Sequence, residues 1–490
     1  MKNKAIFQIL SLCFIAALVL VIVSCSDSSE KSTGNDNSNV TTAAESTAEE
    51  TVAPTILDTL PKDDFGGDTI TILARSDSWW QITRISATEI NGEIINDAIY
   101  NRNLDFEAKY NANLDIQEIP DSLVSPVRNV VLAGEDLYDL VLPNLSDSAV
   151  LAGEDILFDL NQVDTIDFTN PAWDQNAVKF YSLAHKLYFG VSDISLGKNE
   201  CAWIYMFNKR LMEDYSLGDP YQLVRDKQWT FDKSLEMMQA ASADLNGNGV
   251  ADYNDDRFGL QTHDVNYYAL LISAGQVLAE KDGDDLPYMN VKTEKFVDVF
   301  NKIKDNFVNT TQTVMEQGSE PFLTGPFVSG RALLCGQVLA CVRLARGMED
   351  DFGIIPTPMY NENQESYYTY VIPYDVFAVS IPVTAADSER SGMAAQAMAI
   401  LSDYYVTPAY YDVTITGKAL RDENSEEMLD IILNSAVYDM ARMYNWGSFA
   451  SGLANDIKGQ KDFASGFARK EESIDKAIQK TIDNFLANAN

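Results

Sequence analysis

From residue 68 onward, short apolar runs alternate with longer stretches in which apolar positions recur every three or four residues. Ile70 to Leu73, behind a Gly-Gly turn, is a β-branched run of the kind that forms a buried strand. Asn96 to Tyr110 then sets Ile99, Leu104 and Phe106 among charges at helical spacing, Leu114 to Ile119 returns to a strand, and Leu137 to Leu142 adds another. Strand, helix, strand, helix, strand is the rhythm of a mostly parallel sheet flanked by helices. Near the end, Glu472 to Leu486 carries Ile474, Ile478, Ile482 and Phe485 on one helical face, which predicts a terminal helix docked on the body. No internal repeat of fixed period interrupts the pattern.

The first 56 residues follow different rules. Two lysines in Met1 to Lys4 precede an almost wholly apolar run from Ala5 to Val23, the basic and hydrophobic regions of a secretory signal. The run closes on Ile22-Val23-Ser24-Cys25, which resembles the bacterial lipobox; the resemblance implies a signal over 1–24 and acyl chains, palmitate among them, on Cys25. Two or more acyl chains hold a protein at a membrane, each buried methylene contributing about 0.8 kcal/mol. The alternative is a plain transmembrane anchor. Residues 25–56, rich in Ser, Thr, Ala, Asn and Glu, have almost nothing to bury and read as a disordered linker. Cys201, Cys335 and Cys341 remain beyond it, an odd number that argues against a full disulfide set. Cys335 and Cys341 either pair or serve as small buried hydrophobes.

Charge narrows the partners. With 36 Lys+Arg against 73 Asp+Glu the formal charge is −37, so nucleic acid, which needs dense cationic surface, is excluded as a partner. His185 and His263 are the only imidazoles, and neither sits in a catalytic phrase; G-x-S-x-G and HExxH are absent.

Four segments in register resemble the extracellular solute-binding proteins of ABC importers, the group with sugar and oligosaccharide binders. They are YDLVLPNLSDSAVLAGEDILFDLNQ (138–162), KLYFGVSDISLGKNECAWIYMFNKRLMED (186–214) with its Phe207-Asn208-Lys209 triplet, QWTFDKSLEMMQAAS (228–242), and FVSGRALLCGQ (327–337) followed by DFGIIPTP (351–358). Leu333 and Leu334 depart from the family's usual Ala-Met, and Trp229-Thr230 inverts its usual order. The resemblance implies an α/β, two-lobed periplasmic-binding-protein-like fold of type II, with hinge strands and an interlobe cleft. Lobe 1 would take 57–195 and 376–428, lobe 2 196–375 and 429–490, with crossings near 189–204, 370–378 and 425–435. It further implies a lipid-anchored monomer on the outer face of a bacterial membrane that is no enzyme and hands a sugar or oligosaccharide to a permease. A solute touching both lobes binds the closed form better and so shifts the open–closed equilibrium. The alternatives are a secreted carbohydrate-active hydrolase, which needs two suitably spaced carboxylates, a binder of peptides or another non-sugar ligand, and a structural surface protein.

Sugar sites combine stacked aromatics with carboxylates and amides. The candidates are Trp79 and Trp80 after the first strand; Asn144, Ser146 and Asp147 after the third; Asp193, Glu200 and Trp203 by the first crossing; and Tyr444 and Trp446 near the end. Trp173 and Trp229 are assigned to packing. No cofactor is required. Structural calcium is expected from Asp244, Asn246, Asn248, the Val250 carbonyl, Asp252 and Asp255, which match the D-x-[DN]-x-[DN]-G loop with Gly249 at its tight turn. The alternative there is an Asn-Gly turn with solvated acids.

Overall fold

The computed structural model describes residues 55–308, 310–317, 322, 325–415 and 423–487. The signal, Cys25 and the linker before Thr55 lie outside the described residues.

The first lobe is built on β1 (Thr69–Arg75), β2 (Asn113–Ile119) and β3 (Leu140–Val141), a parallel sheet in the order β2-β1-β3. The helix Ile94–Tyr110 connects the first two, as a parallel pair requires. Alternation along β1 sends Ile70 and Ile72 into one core with Phe106 and Tyr110, while Leu73 joins the other core with Ile99 and Val141. The strand expected over 137–142 pairs only at Leu140–Val141, although the Leu142 amide still bonds the Leu73 carbonyl at 2.9 Å.

The remaining strands are β4 (Trp203–Asn208), β5 (Phe258–Thr262), the hairpin of β6 (Ala279–Lys281) and β7 (Pro287–Met289), β8 (Thr313–Met315), β9 (Ala332–Val338), β10 (Phe352–Pro356), β11 (Thr369–Tyr370) and β12 (Ala436–Val437). The second lobe holds a five-stranded sheet in the order β10-β4-β9-β5-β8, with β4 antiparallel to both neighbours and β5 parallel to β8 and β9. Asn208, in the aromatic-Asn-Lys triplet, ends β4 and caps the next helix by accepting the Leu211 amide at 3.0 Å. Gly259 lets the helix Phe231–Ala241 lie directly on β5, since a Cβ there would meet Met238 backbone at 2.5 Å.

Two extended segments join the lobes side by side. Gly190 bridges Val379 and Ala202 bridges Val371, both antiparallel; Ser380 continues onto Val141 of the first sheet, and Ala202 leads into β4 of the second. These are the expected crossings near 189–204 and 370–378. The stretch 425–435 is no crossing strand. It is the helix Glu423–Asn434, packed on β10. The third passage is made earlier, by the helix Ser388–Ile415: Ala394 to Leu401 lie in a core of the first lobe with Ile70 and Phe106, and near the helix end the Val413 carbonyl accepts from Arg346 of the second lobe. A helix satisfies its own backbone hydrogen bonds, so it can cross without a strand partner, and 28 residues reach about 42 Å. The terminal helix is Glu471–Ala487, with Ile474, Ile478, Ile482 and Phe485 buried as the pattern predicts. Cys201, Cys335 and Cys341 are all free and buried. Among the described residues no helix is long and apolar enough to cross a membrane.

Candidate functional site

The candidate residues gather in separate places along the junction of the lobes. On one flank, the loop after β1 brings Trp79 and Trp80 to the crossing. Trp79 is 59% exposed, whereas Trp80 is half-buried and its carbonyl accepts from Arg343 Nη2 at 3.1 Å. The same Nη2 lies 2.8 Å from Glu200 Oε2, which also accepts the Ile82 amide at 3.2 Å. Burial pushes the Glu200 carboxyl up, opposed by the Arg343 guanidinium and the Ile82 amide. Gln81 adds Nε2 bonds to the Asp375 carbonyl at 2.6 Å and to Cys201 Sγ at 3.3 Å. This flank therefore neutralises its own charge within the second lobe and ties the loop after β1 to that pair through the Trp80 carbonyl and the Ile82 amide.

Beneath the crossing segments lies a polar cavity of about 170 Å³ that holds Asp193. Lys198 stands in it, its Nζ 3.4 Å from Asp193 and 3.9 Å from Asp174. Burial opposes the ammonium, but Asp193 and Asp174 hold its pKa above the ordinary lysine value. Asn199 Nδ2 donates to Asp193 at 2.9 Å, the Thr407 hydroxyl also donates to it, and the Tyr438 hydroxyl donates to Asp174 at 2.9 Å.

A groove of about 350 Å³ runs between the helix Leu145–Ala152 of the first lobe and the C-terminal helices, lined among others by Ser146, Tyr444 and Trp446. The Tyr444 and Trp446 rings stack at 5.1 Å and 2°, so each covers one face of the other. Trp446 is 4% exposed and donates Nε1 to the Thr481 hydroxyl at 2.9 Å. The Ser146 and Tyr444 hydroxyls are buried without a partner among the described residues. Asn144 caps the helix Leu145–Ala152 through the Asp147 amide at 2.9 Å, and the Asp147 carboxylate accepts the Ser122 hydroxyl at 2.7 Å. Trp203 is placed inside the second sheet, 1% exposed, its indole donating to Asn266 at 3.1 Å. Trp173 and Trp229 are core residues, as assigned. His185 and His263 are exposed.

The sequence pattern missed a fourth cluster. Arg442, on the helix Met440–Tyr444, packs on the rings of Tyr268 and Tyr374, its Cζ 5.0 and 4.9 Å from their centroids. Its Nε donates to the Tyr370 hydroxyl at 3.2 Å and its Nη1 to the Ala450 carbonyl at 3.3 Å. Tyr268 comes from the helix after β5, Tyr374 from the second crossing segment, and the helix bearing Arg442 packs on Leu145–Ala152, so both lobes and the hinge meet here. The only local signal was an arginine among aromatics in DMARMYNW; its tyrosines are far off in sequence.

In the calcium-like loop, Asp244 accepts the Gly247 and Gly249 amides at 2.7 Å each, and Asn246 and Asn248 accept the amides of Asn248 and Val250. Asp252 accepts the Asn254 amide at 2.9 Å, while Asp255 is exposed. Asp256, which the motif left out, is 2% exposed and ties the loop together through the Asp252 and Leu245 amides, which hold its carboxyl below the usual range. Among the described residues no three acid, histidine or cysteine side chains are grouped to hold an ion.

No protein-family model matches this chain, and no curated protein matches it by sequence. Solved structures do. The chain is similar to the cyclic α-maltosyl-1,6-maltose binding protein from Arthrobacter globiformis, at 16% identity over 86% of this chain and 99% of that one, with a TM-score of 0.56. It is similar to a cyclo/maltodextrin-binding protein complexed with maltotetraose, at 13% identity over 86% and 97% with a TM-score of 0.55. A third similar structure is M. tuberculosis UspC, at 13% identity over 84% and 100% with a TM-score of 0.56. At such identities the likeness is one of fold. With its two sheets, paired crossing segments and these counterparts, the chain has the two-lobed, type II periplasmic-binding-protein fold that its sequence resembles.

Proposed function

We propose that this protein is an extracellular, lipid-anchored binding protein that captures a sugar or oligosaccharide between its lobes and delivers it, unaltered, to an ABC-type permease. The observation that carries the reading is the fold, whose counterparts include a binder of cyclic α-maltosyl-1,6-maltose and one holding maltotetraose. The junction supports it: a groove there sets Ser146 and Glu154 of the first lobe against Asn445 and Asn484 of the C-terminal helices, offering the hydroxyl, carboxylate and amide groups that saccharides need. Lobe 1 (57–195 and 376–428) would close on lobe 2 (196–375 and 429–490) about the paired crossings. Cys25 would carry the lipid, and residues 25–56 would serve as the tether.

Calcium belongs to this reading as a structural ion. Asp244, Asn246, Asn248, the Val250 carbonyl, Asp252 and Asp255 would supply oxygens, with Asp252 and Asp255 drawn in toward Asp244 on binding.

The test is a thermal-shift and calorimetric panel of glycans and peptides, with the recovered ligand analysed by mass. A stabilising glycan returned intact, with a smaller radius of gyration in scattering, is the expected result. Release of new reducing ends would point to a hydrolase, and a peptide hit would move the ligand class.

A further inference from the structure

We infer that Arg442 is the anion-recognising group of the cleft and that the captured solute is an acidic saccharide, one bearing a carboxylate such as a uronic acid residue. The inference rests on the proposed function, since it names the class of sugar that the same cleft takes.

A guanidinium that is buried, or that becomes buried when two lobes close, makes demands on its surroundings. Five N–H donors and a full charge, once withdrawn from water, must find acceptors within the fold. Arg102 shows how this chain does so for a structural arginine: fully buried, it donates to Asn103 Oδ1, the Ile194 carbonyl, the Ser402 hydroxyl and the Ile85 carbonyl, so every nitrogen is engaged. Arg442 is different: it is half-buried, and its terminal nitrogens still reach water until the lobes close over them. Its Nε and Nη1 make single bonds of 3.2 and 3.3 Å, and its Nη2 has no acceptor among the described residues. No carboxylate of the described residues lies within ion-pair distance of it, in a chain with twice as many acids as bases. The nearby Asp439 spends its oxygens on the Leu278 and Ala441 amides, at 2.7 and 2.9 Å.

The surroundings are built to hold the guanidinium in place without neutralising it. The Tyr268 and Tyr374 rings both pack on it through cation–π contact. The Tyr374 hydroxyl is turned back onto the Arg442 carbonyl at 3.3 Å. The Tyr268 hydroxyl, on a residue 4% exposed, has no partner among the described residues, a second unused polar group in the same cluster. A planar fork with free donors, held against rings, fits a carboxylate better than a hydroxyl, because two parallel charge-assisted bonds form at once. A neutral sugar would leave the charge uncompensated as the lobes close over it. The chain as a whole, at a formal −37, repels an acidic solute, so recognition must come from a cation kept at the junction.

The experiment is titration calorimetry on the whole exported protein with trigalacturonate and with its neutral counterpart galactotriose, for wild type, Arg442→Gln, Arg442→Lys and Tyr268→Phe. The wild type is expected to bind the acid at least tenfold more tightly than the neutral trimer. Arg442→Gln should weaken the acid by about 10- to 100-fold, the range for bonds to a charged group, and leave the neutral trimer within about threefold. Arg442→Lys, which keeps the charge and loses the fork, should fall between; it and Tyr268→Phe carry the test if the glutamine variant fails to fold. Equal or tighter binding of the neutral trimer, or an equal loss for both in Arg442→Gln, overturns the inference and leaves the proposed function standing. Binding of neither trimer, with hits confined to peptides, overturns both.

Discussion

Arg343 and Arg442 stand on two flanks of the same junction and are treated in opposite ways. Arg343 is closed off by the protein itself: Glu200 neutralises it at 2.8 Å, the Trp80 carbonyl takes another bond, and the loop after β1 is fastened to the second lobe as a result. Arg442 is given rings in place of a counter-ion. Spending a buried charge on an internal partner makes a contact that holds the lobes; withholding the partner leaves a contact to be completed from outside. The difference teaches where a two-lobed protein keeps its structural electrostatics and where it keeps its recognition.

The largest effect should come from breaking the self-satisfied flank. Glu200 is 1% exposed, and removing one member of a buried pair leaves the other uncompensated at a cost of about 3–5 kcal/mol. Glu200→Gln should therefore lower stability by roughly 3 kcal/mol in urea denaturation, and Arg343→Ala by a similar amount. Replacing both by leucine should recover much of the loss, since apolar substitutes for a buried pair are often neutral. Single variants as stable as wild type would mean that the flank is not fastened by this pair.

Next in size is a pH effect that asks whether Asp439 is a hidden counter-ion for Arg442. Burial pushes the Asp439 carboxyl up to about 6, against the Leu278, Ala441 and Ala279 amides and Arg442, which pull it down. A carboxyl raised in the folded state takes up its proton there before the unfolded chain does. Its contribution to stability is therefore highest below about pH 4 and falls as pH rises through 6, by roughly 3 kcal/mol in all. Denaturant melts of wild type and Asp439→Asn at pH 4, 5, 6 and 7 should show the variant gaining on wild type as pH rises. A gap that moves the other way would show Asp439 ionised and paired with Arg442, and the contrast between the flanks would collapse.

A smaller effect is expected from calcium. Addition of 1 mM-scale calcium should raise the melting temperature by a few degrees and EDTA should reverse it, with Asp244→Ala abolishing the response; for one ligand the gain grows with RT ln(1 + [L]/Kd). No shift and no bound metal would return the loop to an Asn-Gly turn. Whatever the outcome, the recognition flank should be unaffected, since the loop lies before β5 and on no crossing segment.

These contrasts also mark what could be read from sequence. Strands and helices with their own local period were legible: Ile70 to Leu73 lies in β1, Leu114 to Ile119 in β2, and the spacing of Ile474, Ile478, Ile482 and Phe485 gave the last helix its buried face. The aromatic-Asn-Lys triplet was legible because it marks a geometric need, Asn208 closing β4 and opening a helix. The third crossing was not, because a helix that passes from one lobe to the other has the same apolar period as one that stays put. The site was least legible. Trp203 and Trp79 have the same side chain, and only tertiary packing puts one inside a sheet and the other in solvent. Arg442 escaped notice because what sets it apart is a partner it lacks, and neighbours in sequence do not reveal that.

Trp79 gives the smallest stability effect and the finest test of the comparison. At 59% exposure its ring removes little surface from water, so Trp79→Ala should change unfolding free energy by no more than about 0.5 kcal/mol. Yet it stands beside the fastened flank, directly before Trp80, whose carbonyl Arg343 holds, so its backbone is fixed while its ring is free. A free aromatic face on a fixed support suits the apolar face of a sugar ring, and stacking of that kind contributes about 0.5–1.5 kcal/mol beyond area. Trp79→Ala should therefore weaken saccharide binding by about 3- to 10-fold while melting like wild type, and the loss should be equal for acidic and neutral trimers, because a ring face does not sense the charge. A loss confined to the acidic trimer would assign charge recognition to the Trp79 flank, and the division of labour between Arg343 and Arg442 would have to be reversed.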